Sequence, residues 1–438
     1  MDILFLNGTL LPMTAEGDAP RVMQGALGIT ENRIALLTDD EQRIEAFRQA
    51  HPQRREIDCH GKLLMPGLIN THCHAAMTLQ RSNADDIALM EWLNDYIWPF
   101  EAHQTPEDAR VGMELAIVEM LLGGTTSFVD MYYYENHCVE TVRKMGIRAM
   151  LGCNYFDHNV DQVMEEMADA CQRAKDCSRI QIAAAPHAPY TCSRENILRG
   201  KEFCRQHGLH FMTHIAETKD EDRIIREKWG MSPVKYLDKL GVLDDQTIGA
   251  HCIHVDQEDI DILAKRGVAV SHNPQSNMKI SSGICPVEQL RKSGALVTIA
   301  TDGTCSNNDL DLFEELRTAV FLQKVSTQSP LSLPAYEALK MVTVNGARAL
   351  GYQNGELGVL KEGALADVIV IDLEKPHLKP VHNLIGNLVY AGKASDVDTV
   401  VVDGQILVEH REVVGVNLEE LFARATQTMQ RIVSQMHA

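Results

Sequence analysis

The sequence predicts an α/β fold: a (β/α)8 TIM barrel carrying a small β-sandwich domain formed from both chain ends. Three observations predict it. Eight short β-rich apolar runs alternate with amphipathic helix-like stretches through the middle of the chain. Such alternation implies parallel strands, because a parallel pair needs a crossover connection. Those eight units fill roughly 250 to 300 residues, the usual size of a closed eight-stranded barrel. Finally, histidines and acids collect at the C-terminal ends of the runs, the end where barrels carry their chemistry.

The chain opens with a strand signal at Ile3, Leu4, Phe5 and Leu6, followed by a predicted turn at Asn7-Gly8. Further short strands are predicted at 26–29 and 33–37. The eight barrel runs are 63–74, 125–131, 146–154, 180–187, 210–217, 247–254, 267–273 and 296–302. Helical patterns lie between them, as at 106–122, 160–174, 195–207 and 256–266. Past about residue 355 the short-strand pattern returns, with a dense run at 366–372 and a hairpin signal around Asp403-Gly404. A polar helix at 417–435 closes the chain. The expected division is therefore a barrel over 61–354 and a composite β domain from 1–60 and 355–438. The competing fold is an open doubly wound sheet. It calls for a Gly-rich phosphate turn after an early strand, and the first run ends instead in Asn70-Thr71-His72-Cys73-His74.

Composition excludes several classes. Apolar residues are 45% and charged residues 23%, the balance of a globular protein. No apolar run reaches the roughly eighteen residues of a membrane span, and the N-terminus lacks the basic start of a signal peptide. The net charge is −20 with no basic stripe, which argues against nucleic-acid partners. The 11 cysteines are odd in number and form no CxxC pair, so they read as small buried hydrophobes in the reducing cytoplasm.

The chemistry lies at the run ends. His72 and His74 are two apart and so point to one side of a strand. His187 ends the fourth run, His214 and Glu217 the fifth, and Asp302 the eighth, while His251 and His254 lie on the sixth and His272 on the seventh. Three imidazoles and a carboxylate suit a borderline cation, so His72, His74, His214 and Asp302 are the candidate ligands of one divalent ion. Zinc fits that ligand set best, with iron second. Any one of these histidines alone would read as a structural side chain. The ordered set His-x-His, His-x-x-Glu and Thr-Asp-Gly would not. His60, His103, His137 and His158 lie off the run ends and read as structural, as does His254, while His272 stands evenly between the two.

Pro66-Gly67-Leu68-Ile69-Asn70-Thr71-His72-Cys73-His74, Thr213-His214-Ile215-Ala216-Glu217, Ala250-His251-Cys252, Ser271-His272-Asn273-Pro274 and Thr301-Asp302-Gly303 together resemble the amidohydrolase superfamily. Within it, Ala185-Pro186-His187-Ala188-Pro189-Tyr190 and Trp98-Pro99-Phe100-Glu101 look most like the methylthioadenosine/S-adenosylhomocysteine deaminases of the chlorohydrolase-like branch. The resemblance implies a hydrolytic deaminase that converts an adenosine-type nucleoside to its inosine analogue and ammonia by attack at C6. It implies Glu217 as proton shuttle to the ring nitrogen, and His251 with Asp302 as the groups that orient and deprotonate the water. Glu101 resembles a residue that grips ribose hydroxyls, and His187 a second substrate contact. No lysine ends the fourth run, so a single metal is implied, and a homo-oligomer is compatible with the family. Relatives that take S-adenosylhomocysteine hold its carboxylate with arginines. Cys153 occupies the matching place here, which leaves Arg148, earlier on the strand, as the cationic candidate for substrate binding. A smaller 5′-group is then favoured: methylthioadenosine, 5′-deoxyadenosine or adenosine. The alternatives are an enzyme acting on another ring (guanine, a pterin or a chlorotriazine) and a non-catalytic metal-binding barrel.

Overall fold

The computed structural model describes residues 2–14, 20–83, 85–87 and 91–436. Eight strands pair in parallel and in chain order: Leu68–Cys73, Thr125–Tyr132, Arg148–Tyr155, Ile180–Pro186, His210–Ile215, Thr247–His251, Ala269–His272 and Leu296–Ile299. Between the last strand and the first, a seam of polar side chains replaces the backbone ladder. The Asn70 amide donates to Thr301 Oγ1 at 2.8 Å and accepts from the Thr301 N–H at 3.1 Å. Thr71 and Thr298 hydroxyls meet at 2.7 Å, and the Asp302 N–H donates to the His72 carbonyl at 3.0 Å. Inside, Ile69, Val129, Met150, Met212 and Ile248 fill the barrel, so its interior is a core rather than a channel.

The predicted helices at 106–122 and 160–174 are observed as Pro106–Leu122 and Val160–Ala174. The first begins where Thr105 and Asp108 cap each other reciprocally, which satisfies amide groups the helix itself cannot. The closing helix, Leu418–Met436, lies against Pro106–Leu122 and pairs Arg424 with Glu114 at 2.7 Å. Its Ala425 and Ile432 pack with Phe100, beside Glu101.

The two chain ends form one nine-stranded sheet separate from the barrel. Its core holds Ile3, Phe5, Leu27, Ile29, Val368 and Val370. Two local expectations change. Asn7-Gly8 is not a turn: the strand runs through it as Ile3–Leu10, with a register shift between Phe5 and Gly8 and Asn7 at φ 59°, which is a bulge. The run at 63–74 also divides. Lys62–Pro66 pairs with Val368–Asp372 in the end sheet, and only Leu68–Cys73 enters the barrel. The chain passes between them at Gly67, where a Cβ would meet Thr126 Oγ1 at 2.1 Å. Asp403-Gly404 does turn the predicted hairpin, with both residues at positive φ.

Candidate active site

The strands stop short of the apolar runs that predicted them, and the chemistry lies where they stop. Ala216, His251 and Asp302 have φ of 51°, 72° and 63°, left-handed values that strain non-glycine residues and break the ladder. Glu221 holds one such turn. Its carboxylate accepts the Ala216 and Glu217 amide N–H groups, each at 2.9 Å. Strained turns of this kind aim Glu217 and Asp302 over the mouth instead of along the barrel wall.

His72, His74 and His214 converge, with ligand nitrogens all within 4.8 Å of one another, and His72, His251 and Asp302 do the same. Asp302 Oδ1 lies 3.2 Å from His74 Nε2 and 3.5 Å from His72 Nε2. His74 Nδ1 donates to the Met131 carbonyl at 2.6 Å, and His214 Nδ1 to the His187 carbonyl at 2.7 Å. A backbone carbonyl can only accept, so both rings carry a proton on Nδ1 and turn Nε2 towards the cluster. His72 Nε2 is buried without a hydrogen-bond partner. Burial pushes His72 down to about 4 and His214 well below its ordinary range, which keeps both imidazoles in the neutral form that binds metal. Burial also raises the cost of an ionised Asp302. The imidazoles of His72 and His74 beside it outweigh that cost and hold its carboxyl well below the usual range. His74 differs: burial would lower it, but the Asp302 carboxylate beside it outweighs that and raises it to about 9, so a cation must displace a proton there. Two neutral imidazoles, a displaceable proton on the third and a persistent carboxylate fit a divalent cation.

A cleft with about 700 Å3 of free space, mouth included, opens over this cluster. His74, His187, His214, Glu217, His251 and Asp302 lie on its floor and walls. Burial raises Glu217, and its Oε1 is 3.9 Å from His251 Nε2, which is itself 3.9 Å from Asp302 Oδ2. A π-helical turn at Trp92–Ile97 runs into the short helix Trp98–Ala102 and brings Leu93, Ile97, Trp98 and Glu101 to the rim. Burial pushes the Glu101 carboxyl up to about 7, and the Tyr132 hydroxyl donates to it at 2.9 Å. His187 stacks on Phe156 with ring centroids 4.5 Å apart and bonds Thr191 Oγ1 at 2.9 Å.

One expected substrate contact is corrected. Arg148 begins its strand, at the end of the barrel opposite the cleft. It is buried in a two-pronged ion pair with Asp367, at 2.9 and 3.0 Å, and reaches Asp403 at 3.3 Å. A guanidinium spent on two carboxylates of the end sheet has nothing left for a ligand, so Arg148 ties the barrel to that sheet. His254 bonds the Ser282 carbonyl at 2.8 Å and does not line the cleft, as its structural reading expected. His272 is buried and likewise outside the lining.

Other contributors are not legible as motifs. Ser276 donates to Asp302 Oδ2 at 2.6 Å, and the Asn277 amide oxygen lies 2.8 Å from His251 Nδ1. Both sit on the short helix Pro274–Lys279, directly after the seventh strand. The only sequence signal for them is an uncharged polar cluster continuing past Ser271-His272-Asn273. All 11 cysteines are free, and no helix among the described residues is long and apolar enough to cross a membrane.

Comparison with known proteins adds three relatives and a family. The model of the amidohydrolase family matches residues 63–407. The chain is 41% identical over 437 residues to a 5-methylthioadenosine/S-adenosylhomocysteine deaminase of Pelotomaculum thermopropionicum, covering 99% of both chains. It is 41% identical to a 5′-deoxyadenosine deaminase of Methanothermobacter thermautotrophicus, over 90% of this chain and 92% of that one. Among solved structures, a zinc-bound adenosine deaminase from Xanthomonas campestris superposes with a TM-score of 0.93 at 32% identity, over 99% of each chain.

Proposed function

The chain belongs to the amidohydrolase family, and from that premise we propose that it is a metal-dependent hydrolase that deaminates adenosine-type nucleosides at C6 to their inosine analogues and ammonia. The observation that carries this reading is the placement of Glu101. It stands at the rim of the same cleft that holds the imidazole cluster, where a carboxylate can accept hydrogen bonds from ribose hydroxyls. An enzyme for a free base such as guanine, a pterin or a chlorotriazine has no use for that acid. The relatives named for methylthioadenosine, S-adenosylhomocysteine and 5′-deoxyadenosine support the nucleoside class.

His72, His74, His214 and Asp302 would hold one divalent ion, zinc by ligand type and by the zinc of the related adenosine deaminase. When bound, the ion acts as a Lewis acid that brings the pKa of water towards neutrality. The remaining steps belong to side chains. Glu217 takes a proton from the water and delivers it to ring nitrogen N1 as C6 is attacked, so that negative charge does not build up on the ring. Burial raises the Glu217 carboxyl above its ordinary range, the direction that helps it hold the proton it passes on. His251 Nε2 and Asp302 Oδ2 orient the water and take its second proton, which leaves with the amine as ammonia. Glu101 and His187 hold the ribose, and the Phe156 ring keeps His187 upright.

The test is ammonia release and the change in adenine absorbance with methylthioadenosine, 5′-deoxyadenosine, adenosine and S-adenosylhomocysteine on zinc-loaded protein. Turnover of at least one is expected. Turnover of none, with zinc bound, rejects the nucleoside reading.

A further inference from the structure

Beyond Glu101 lies a second cavity with about 1440 Å3 of free space, mouth included. Trp98, Glu101, Tyr133 and Phe156 line both, so the two adjoin at the proposed ribose position. Whatever is attached at the 5′-carbon of a nucleoside seated there has this second cavity beside it.

The outer walls have a definite character. Trp98, Tyr133, Tyr134 and Phe156 supply aromatic surface, and Asp157 and Glu166 supply carboxylates. The described lining residues include no lysine and no arginine. Asp157 is fixed in place by the Ser193 N–H at 2.7 Å and the Asn196 amide at 2.8 Å. Glu166 accepts from the Gln162 amide at 2.7 Å. Neutral donors hold both acids, so neither loses its charge to an ion pair within the cavity. His158 stacks on Phe156 with centroids 5.6 Å apart and forms part of the same wall. Arg148 is committed to Asp367, and Lys228, which acts on Asp157, is not among the described lining residues.

Resting on the nucleoside reading above, we propose that this cavity is the subsite for the 5′-substituent, and that Asp157 and Glu166 make it select a neutral or cationic substituent over an anionic one. Aromatic faces favour apolar thioether and alkyl groups and attract cations through their quadrupoles. Two carboxylates reinforce the attraction for a cation and repel an anion, most strongly at low salt.

The experiment compares kcat/KM for three adenosine 5′-thioethers of equal length, ending in an ammonium, a hydroxyl and a carboxylate, with adenosine alongside. The carboxylate is expected to fall below the hydroxyl by roughly ten-fold, with the ammonium at or above the hydroxyl. Glu166→Lys reverses the order, and Asp157→Asn, which still accepts both hydrogen bonds, narrows it. Glu165→Lys changes the net charge equally on an exposed neighbour outside the cavity and leaves the wild-type order. Adenosine turned over with no charge order among the thioethers, or an order that Glu166→Lys does not disturb, overturns the subsite alone. No turnover of adenosine or of any thioether overturns the nucleoside reading together with it.

Discussion

The Asn277 amide oxygen accepts a hydrogen bond from His251 Nδ1 at 2.8 Å, and both side chains are buried. The Asn273 amide nitrogen also approaches His251 Nδ1, at 3.3 Å, so two amides hold the ring. Its Nε2 is aimed between Glu217 and Asp302 at 3.9 Å from each. Asn277→Leu removes the acceptor and loosens the ring. The expected result is a loss of roughly 10- to 100-fold in kcat with KM nearly unchanged, since the partner of a positioned imidazole acts through orientation. Steady-state kinetics decide it, and an effect confined to KM would remove the positioning role.

Glu217→Gln keeps the side-chain shape and abolishes proton exchange. It should lower kcat by about 10²- to 10⁴-fold, the range for a positioned general acid–base group. Nucleoside binding, followed by calorimetry, should survive. Full turnover in this variant would exclude Glu217 as the shuttle.

Glu101 supplies a pH dependence with a definite sign. Burial places its carboxyl at about 7, so it is mostly neutral below that pH and becomes a carboxylate as the pH rises through it. A carboxylate accepts more hydrogen bonds from ribose hydroxyls than the acid does. Nucleoside kcat/KM should therefore rise with pH through about 7, and Glu101→Gln should lose that limb along with much of the affinity. A variant profile that overlays the wild type would detach Glu101 from substrate binding.

Arg148 belongs to stability. Arg148→Ala strands the buried Asp367 carboxylate, while Asp403 keeps Arg179 at 3.5 Å. The expected cost is about 3 to 5 kcal/mol in denaturant unfolding, with kcat/KM of the folded protein near the wild-type value. A stable variant with a raised KM would restore a substrate role.

Much of this architecture was legible because local and global preferences agree. The helices at 106–122 and 160–174 show it, with the caps of the first and the apolar stripe of the second written into the sequence. The imidazole cluster was legible because residue types and strand order coincide at His72, His74, His214 and Asp302. The misreadings have physical causes. Asn7-Gly8 supplies the positive φ of a hairpin turn, yet a bulge needs the same conformation, and only the partner strand decides between them. The apolar run through Ile215 and Ala216 reads on as a strand, but the left-handed Ala216 ends it, and that conformation is imposed by Glu221. Arg148 was read as a binding group because the resemblance calls for an arginine near this strand and Cys153 holds the matching place; its position at the start of the strand puts it at the end away from the cleft. Ser276 and Asn277 look like ordinary loop residues until folding buries them against Asp302 and His251.

The metal dependence is tested most directly by measuring zinc content and nucleoside deamination on the same samples during chelation and stepwise zinc return. Activity is expected to vanish with the metal and to recover in proportion to zinc, reaching its maximum at one ion per chain. Undiminished deamination by metal-free protein would contradict it.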